Sequence, residues 1–143
     1  MTGRMTPAQS VAAECQRRGA AAVVSGCIDL LEARDVDDGL VLALGGAAAP
    51  YVLSGGEGGR PGHWPRVWAA RGLLYVWEDR AAPAVVRATA DDAWRVREMA
   101  AKVVARHRVD EALEAVTGLR DDDVARVRAA AGRAVARLTA SPA

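Results

Sequence analysis

The chain has 143 residues, 51% of them hydrophobic and 26% charged, which suits one folded domain and excludes the disordered and collagen-like classes. Nineteen Lys and Arg against 18 Asp and Glu leave a net charge of +1, without the basic excess of a dedicated nucleic-acid protein. No apolar run approaches the ~20 residues needed to cross a bilayer and no signal-peptide pattern opens the chain, so a cytoplasmic protein is expected. Cys15 and Cys27, with His63 and His107 as the two histidines, assemble no zinc spacing; two free thiols and no bound metal are expected.

Thirty-two Ala, 18 Val and 11 Leu with no Phe, and Arg as 18 of the 19 cations, favour helices that approach closely through small side chains. An all-α chain is predicted. Thr6-Pro7 opens a first helix over 7–18, closed by Gly19. Val23, Val24, Cys27, Leu30 and Leu31 place a second near 21–33, interrupted by Asp35, Asp37 and Asp38. Two short helical pieces follow, 40–44 and 47–53. Residues 54–63 hold five glycines and a proline and are read as the one long loop, a hinge or insertion. Helices at 65–78, 81–89, 92–107, 109–118 and 121–139, joined by short turns, complete a run of antiparallel neighbours.

Repetition organises the C-terminal half. At a shift of 31, Arg95-Val96-Arg97 meets Arg126-Val127-Arg128, Asp92 meets Asp123, Ala100 meets Ala131, and Lys102 meets Arg133. At a shift of 30, Ala70, Leu73, Leu74 and Val86 fall on Ala100, Val103, Val104 and Val116. One helix pair cannot bury its apolar face alone, whereas stacked pairs share a core, so an α-solenoid of ~30-residue units is expected. Leu74, Val103, Val104 and Val135 are its predicted core.

The segments Asp92-Ala-Trp-Arg-Val-Arg-Glu-Met-Ala-Ala and Asp123-Val-Ala-Arg-Val-Arg-Ala-Ala-Ala-Gly resemble the HEAT repeat signature, an acidic turn followed by Val-Arg and small residues. Their short period is similar to the phycobilisome-lyase type of HEAT repeat, as in bacterial HEAT repeat domain proteins. The resemblance covers 65–139 well and 20–60 weakly, and the Gly-rich loop replaces a two-residue turn before the Val67 helix. It implies one α-solenoid domain over 1–143, with atypical helices over 1–53, the loop over 54–64 and the best-defined repeats over 65–139. It also implies that helices 65–78, 92–107 and 121–139 share one layer lining a concave face, and that Arg97 and Arg128 pair with the turn aspartates.

Arg95, Lys102 and Arg106, and one repeat on Arg126, Arg133 and Arg137, keep to one side of their helices and compose a candidate partner-binding face for carboxylates or phosphates. The bland reading is a solvated face partly neutralised by Glu98 through Arg95 and Lys102. Asp91-Asp92 and Asp121-Asp122-Asp123 are read as helix caps rather than cation ligands. Trp64, Trp68, Arg71 and Tyr75 share one stripe of a helix apolar nearly all round; they are read as core, with an aromatic partner-binding patch at Trp64 and Trp68 as the alternative. No catalytic residue and no cofactor site is discernible. The expected function is a non-enzymatic protein-interaction scaffold with a protein partner; the second class is a nucleic-acid-binding solenoid in the style of the alkylation-repeat DNA glycosylases.

Overall fold

The computed structural model describes residues 4–141, which are helical with no strand among them. They fall into two compact units, one reaching to Glu78 and one starting at Asp79, where a single domain was expected.

The first unit contains α1 (Pro7–Arg18), α2 (Ala20–Leu31), α3 (Asp38–Gly45), α4 (Ala49–Leu53) and α5 (Trp64–Gly72). Thr6 caps α1 in a box: its hydroxyl accepts from the Gln9 amide at 3.1 Å, and the Gln9 side chain accepts from the Thr6 amide at 2.9 Å. Gly19, at φ 95°, turns the chain directly into α2. Asp37 caps α3, accepting from the Leu40 amide at 2.9 Å. Its carboxylate also takes both terminal nitrogens of Arg18, at 2.8 and 3.0 Å, while Arg18 Nε and the Arg17 guanidinium hold the buried Glu14. The Arg18 bond holds the Asp37 carboxyl well below the usual carboxylate range, and Arg17 does the same for Glu14. The acidic stretch that interrupts the helical pattern is thus the strut that joins α1 to α3.

Helix α5 packs against α2 and α3 and ends at Gly72, short of the expected 78. A Cβ at Gly72 would stand 2.8 Å from Leu44 and 3.2 Å from the Cys27 sulfur, so the glycine permits this close approach. Beyond it the backbone tightens into i to i+3 bonds, Leu74 to Arg71 and Tyr75 to Gly72. The tightened turn rotates Leu73 into the core and leaves Leu74 only half-buried, which corrects the predicted core position. The Gly-rich stretch is not a loose hinge. It holds a tight turn at Gly56–Gly58 with Glu57 in the left-handed region, and Arg60 straps it to Asp35 at 3.0 Å and to Asp38.

The second unit contains α6 (Ala82–Ala88), α7 (Trp94–His107), α8 (Leu113–Gly118) and α9 (Ala125–Thr139), with short 3-10 turns leading into α6 and α8 and following α8. The start of α7 meets the start of α9 through Glu98 and Arg126, and Arg108 beyond the end of α7 donates to the Ala140 carbonyl beyond the end of α9. The two helices therefore run parallel, as the shift of 31 requires. Their seam is Val96, Ala100 and Val103 against Val127, Ala131 and Ala134, all essentially without exposure. Val104 is fully buried, but its counterpart Val135 is only half-buried, and Ala134 takes the core position instead.

Candidate functional site

Each of α7 and α9 is entered through the same device. Asp91 accepts from the Ala93 amide at 2.8 Å and Asp122 from the Val124 amide at 2.9 Å, so the acids shape the turn before the helix. Neither helix has a side-chain cap on its first-turn amides, which corrects the simple capping reading. Arg97 reaches back to the Asp91 and Asp92 carbonyls at 2.8 and 3.0 Å, and Arg128 to those of Asp122 and Asp123 at 2.7 and 3.2 Å. Arg97 also grips the Asp122 carboxylate with two nitrogens, at 2.8 and 3.2 Å, and holds that carboxyl below its ordinary range. Of the two pairings implied by the resemblance, Arg97 makes one with an aspartate carboxylate, whereas Arg128 bonds only to the main-chain carbonyls of the turn aspartates. In the first unit Arg66 makes the equivalent reach, to the Gly62 carbonyl at 3.1 Å and to that of Pro61 at 3.5 Å, so the Gly-rich loop carries the staple without the acids.

The cationic stripe lies along α7 and α9. Arg95, Arg106, Arg126, Arg133 and Arg137 are exposed and Lys102 is half-buried. Glu98 is only 6% exposed and lies under the stripe; one of its oxygens is 3.0 Å from Arg126 Nε and 3.7 Å from Lys102 Nζ. The expected partners were Arg95 and Lys102, so Arg126 replaces Arg95. The reason is tertiary: Arg126 crosses the seam from the neighbouring helix. Arg95 lies over the Trp94 ring at 4.4 Å, and the Arg126 guanidinium stands 5.3 Å from the same ring. The sequence reading missed Trp94. Its signal was its position, adjoining Arg95 and 32 residues before Arg126.

In the first unit, Trp64 and Trp68 stack with ring centroids 6.3 Å apart and planes tilted by 28°. Trp68 is 4% exposed, a core residue and not a surface anchor, because its ring lies flat on Gly45. Trp64 is half-buried, with the His63 ring tilted against it by 39° at a centroid distance of 4.8 Å. The two indoles border a cleft of about 230 Å³ with Ala48, Tyr51, Val52 and Glu57. A second cleft, of about 330 Å³, is lined by Arg34, Arg60 and Arg66 together with Asp35. These guanidiniums are committed to Asp29, to Asp35 and Asp38, and to the loop carbonyls respectively. Burial raises the Cys27 thiol to about 12 and also raises Cys15, which keeps both protonated at neutral pH. Among the described residues no group of three His, Cys, Asp or Glu is placed to hold a metal, and no helix is long and apolar enough to cross a membrane.

The family model described as HEAT repeats matches residues 63–136, more than half of the chain. The chain belongs to the HEAT repeat family. The match spans the stapled helices α5, α7 and α9, and the all-helical fold is that of an α-solenoid. Comparison with curated proteins and with solved structures gives no match. HEAT repeats generally serve as protein-interaction scaffolds and are typically non-enzymatic.

Proposed function

We propose that this HEAT repeat chain is a non-enzymatic scaffold whose α7–α9 face takes an acidic segment of a partner protein. The observation that carries the reading is the Trp94 ring met by the guanidiniums of Arg95 and Arg126, with Arg106, Arg133 and Arg137 exposed on the same two helices. Trp and Arg are the side chains that most often dominate binding at protein interfaces. Arg also pairs with carboxylates through two parallel hydrogen bonds. Glu98 pairs with two of the six cations, Lys102 and Arg126, beneath the exposed stripe. The test is fluorescence anisotropy with a short Glu-rich peptide, its Gln counterpart and a DNA duplex. The Glu-rich peptide binds, the Gln peptide does not, and Trp94→Ala or Arg95→Gln/Arg126→Gln weakens binding by about tenfold. Tighter binding of duplex DNA, falling steeply with salt, would replace this reading with the nucleic-acid one.

A further inference from the structure

The cleft in the first unit has a composition that the scaffold reading leaves unused. Three aromatic rings, Tyr51, Trp64 and Trp68, and two apolar side chains, Ala48 and Val52, line it, and Glu57 is the single charged residue among them. We propose that this cleft binds a quaternary ammonium group.

Its volume of about 230 Å³ lies below the ~300 Å³ at which sites for drug-sized ligands begin, and so matches a head group. Three aromatic residues and one acid, Glu57, in an otherwise apolar lining favour a cation over an anion. A primary ammonium has three donors to satisfy, whereas a quaternary ammonium has none and gives up little hydration on entering apolar walls. Walls with one carboxylate and three rings suit the second.

The rings are preorganised by glycines. A Cβ at Gly45 would stand 2.5 Å from the Trp68 ring, and a Cβ at Gly56 would collide with the Tyr51 ring. Both rings therefore rest directly on backbone. Trp64 is fixed by its stack on Trp68, whereas Tyr51 remains 62% exposed at the mouth. Glu57 adopts φ 54° and ψ 35°, a left-handed conformation that is disfavoured for a non-glycine residue. Gly55 and Gly58, both at positive φ, flank this turn, and Arg60 ties the loop to Asp35 and Asp38. The Gly-rich loop thus brings Glu57 into the lining of the cleft at a backbone geometry that its own residue type disfavours.

The test is titration with tetramethylammonium, choline and Nε-trimethyl-lysine, read from the indole N–H signals of the four tryptophans in two-dimensional NMR. Lysine and 3,3-dimethylbutan-1-ol, the neutral isostere of choline, serve as controls. Saturable shifts at Trp64 and Trp68, with Trp77 and Trp94 still, are expected for the quaternary cations. The neutral isostere binds about tenfold more weakly. Glu57→Gln weakens binding severalfold and Trp64→Ala abolishes it, while Glu98→Gln, in the second unit, leaves it unchanged. Tyr51→Leu, at an exposed position, repeats the test should Trp64→Ala fail to fold. Equal binding of choline and its neutral isostere, or shifts unaffected by Glu57→Gln and Tyr51→Leu, overturns the proposal. So does the absence of any saturable shift. Comparing choline with trimethyl-lysine tells whether a small molecule or a modified side chain is preferred.

Discussion

Residues 91–139 reuse one device, an acidic turn, an arginine reaching back to its carbonyls and a Val-Ala seam, and stack two copies of it in parallel. The first unit keeps the arginine reach at Arg66 but surrounds it with unlike parts: ion pairs distant in sequence, aromatic rings lying on glycines, and a loop strapped by Arg60. The regular unit spreads its burial over many small contacts, so one altered side chain disturbs a seam that the next turn of helix repeats. The irregular unit concentrates its packing at a few close approaches, where one added methyl matters. The regular unit offers a face and the irregular unit a cleft.

The sharpest way to break this comparison is a charge in the core of the regular unit. Val104 is fully buried, and Val104→Asp should cost about 3–5 kcal/mol and unfold the second unit. Val135→Asp, at the matching but half-exposed position, should cost less than half of that. Equal denaturation midpoints for the two variants would dissolve the register drawn for α7 and α9.

The staple is next. Arg97 is 18% exposed and bridges to an Asp122 that is 8% exposed, so Arg97→Ala leaves a nearly buried carboxylate and should cost about 2–4 kcal/mol. Arg128→Ala, exposed and bonded to carbonyls alone, should cost under about 1 kcal/mol. The sign of the pH dependence follows from the lowered Asp122 carboxyl: its stabilisation is complete above the ordinary carboxylate value and is lost as pH falls through the lower folded-state value. Urea melts between neutral and acid pH should show Arg97→Ala destabilised at pH 7 and converging on the parent protein in acid. Asp37 and Glu14, lowered in the same direction, make the first unit acid-labile as well, so that convergence is read from the difference between variants.

The smallest effects differ in sign between the regions. Gly45→Ala would drive a methyl into the Trp68 ring and should destabilise the first unit by about 1–3 kcal/mol. Gly132→Ala, inside α9 with open space around the new methyl, should stabilise the second unit by up to about 1 kcal/mol through helix propensity. Thermal melts of both variants check the pair; the same sign for both would refute the contrast.

The sequence by itself determined the helices, their period and their family, because small residues at spacings of three and four and a 31-residue recurrence are local properties of the chain. Its prediction for α1, Pro7–Arg18, agrees with the structure at both ends, since a cap, a proline and a glycine are chemical punctuation. The tertiary structure alone showed that Leu44 and Cys27 from other helices leave no room for a side chain at position 72, where α5 stops. It decided that Glu98 answers Arg126 rather than Arg95, that the guanidiniums of Arg95 and Arg126 both meet the Trp94 ring, and that Trp68 is buried while Trp64 borders a cleft. Helical spacing specifies which side of its own helix a residue occupies. Which neighbour covers that side, and at what distance, is settled only when the helices pack.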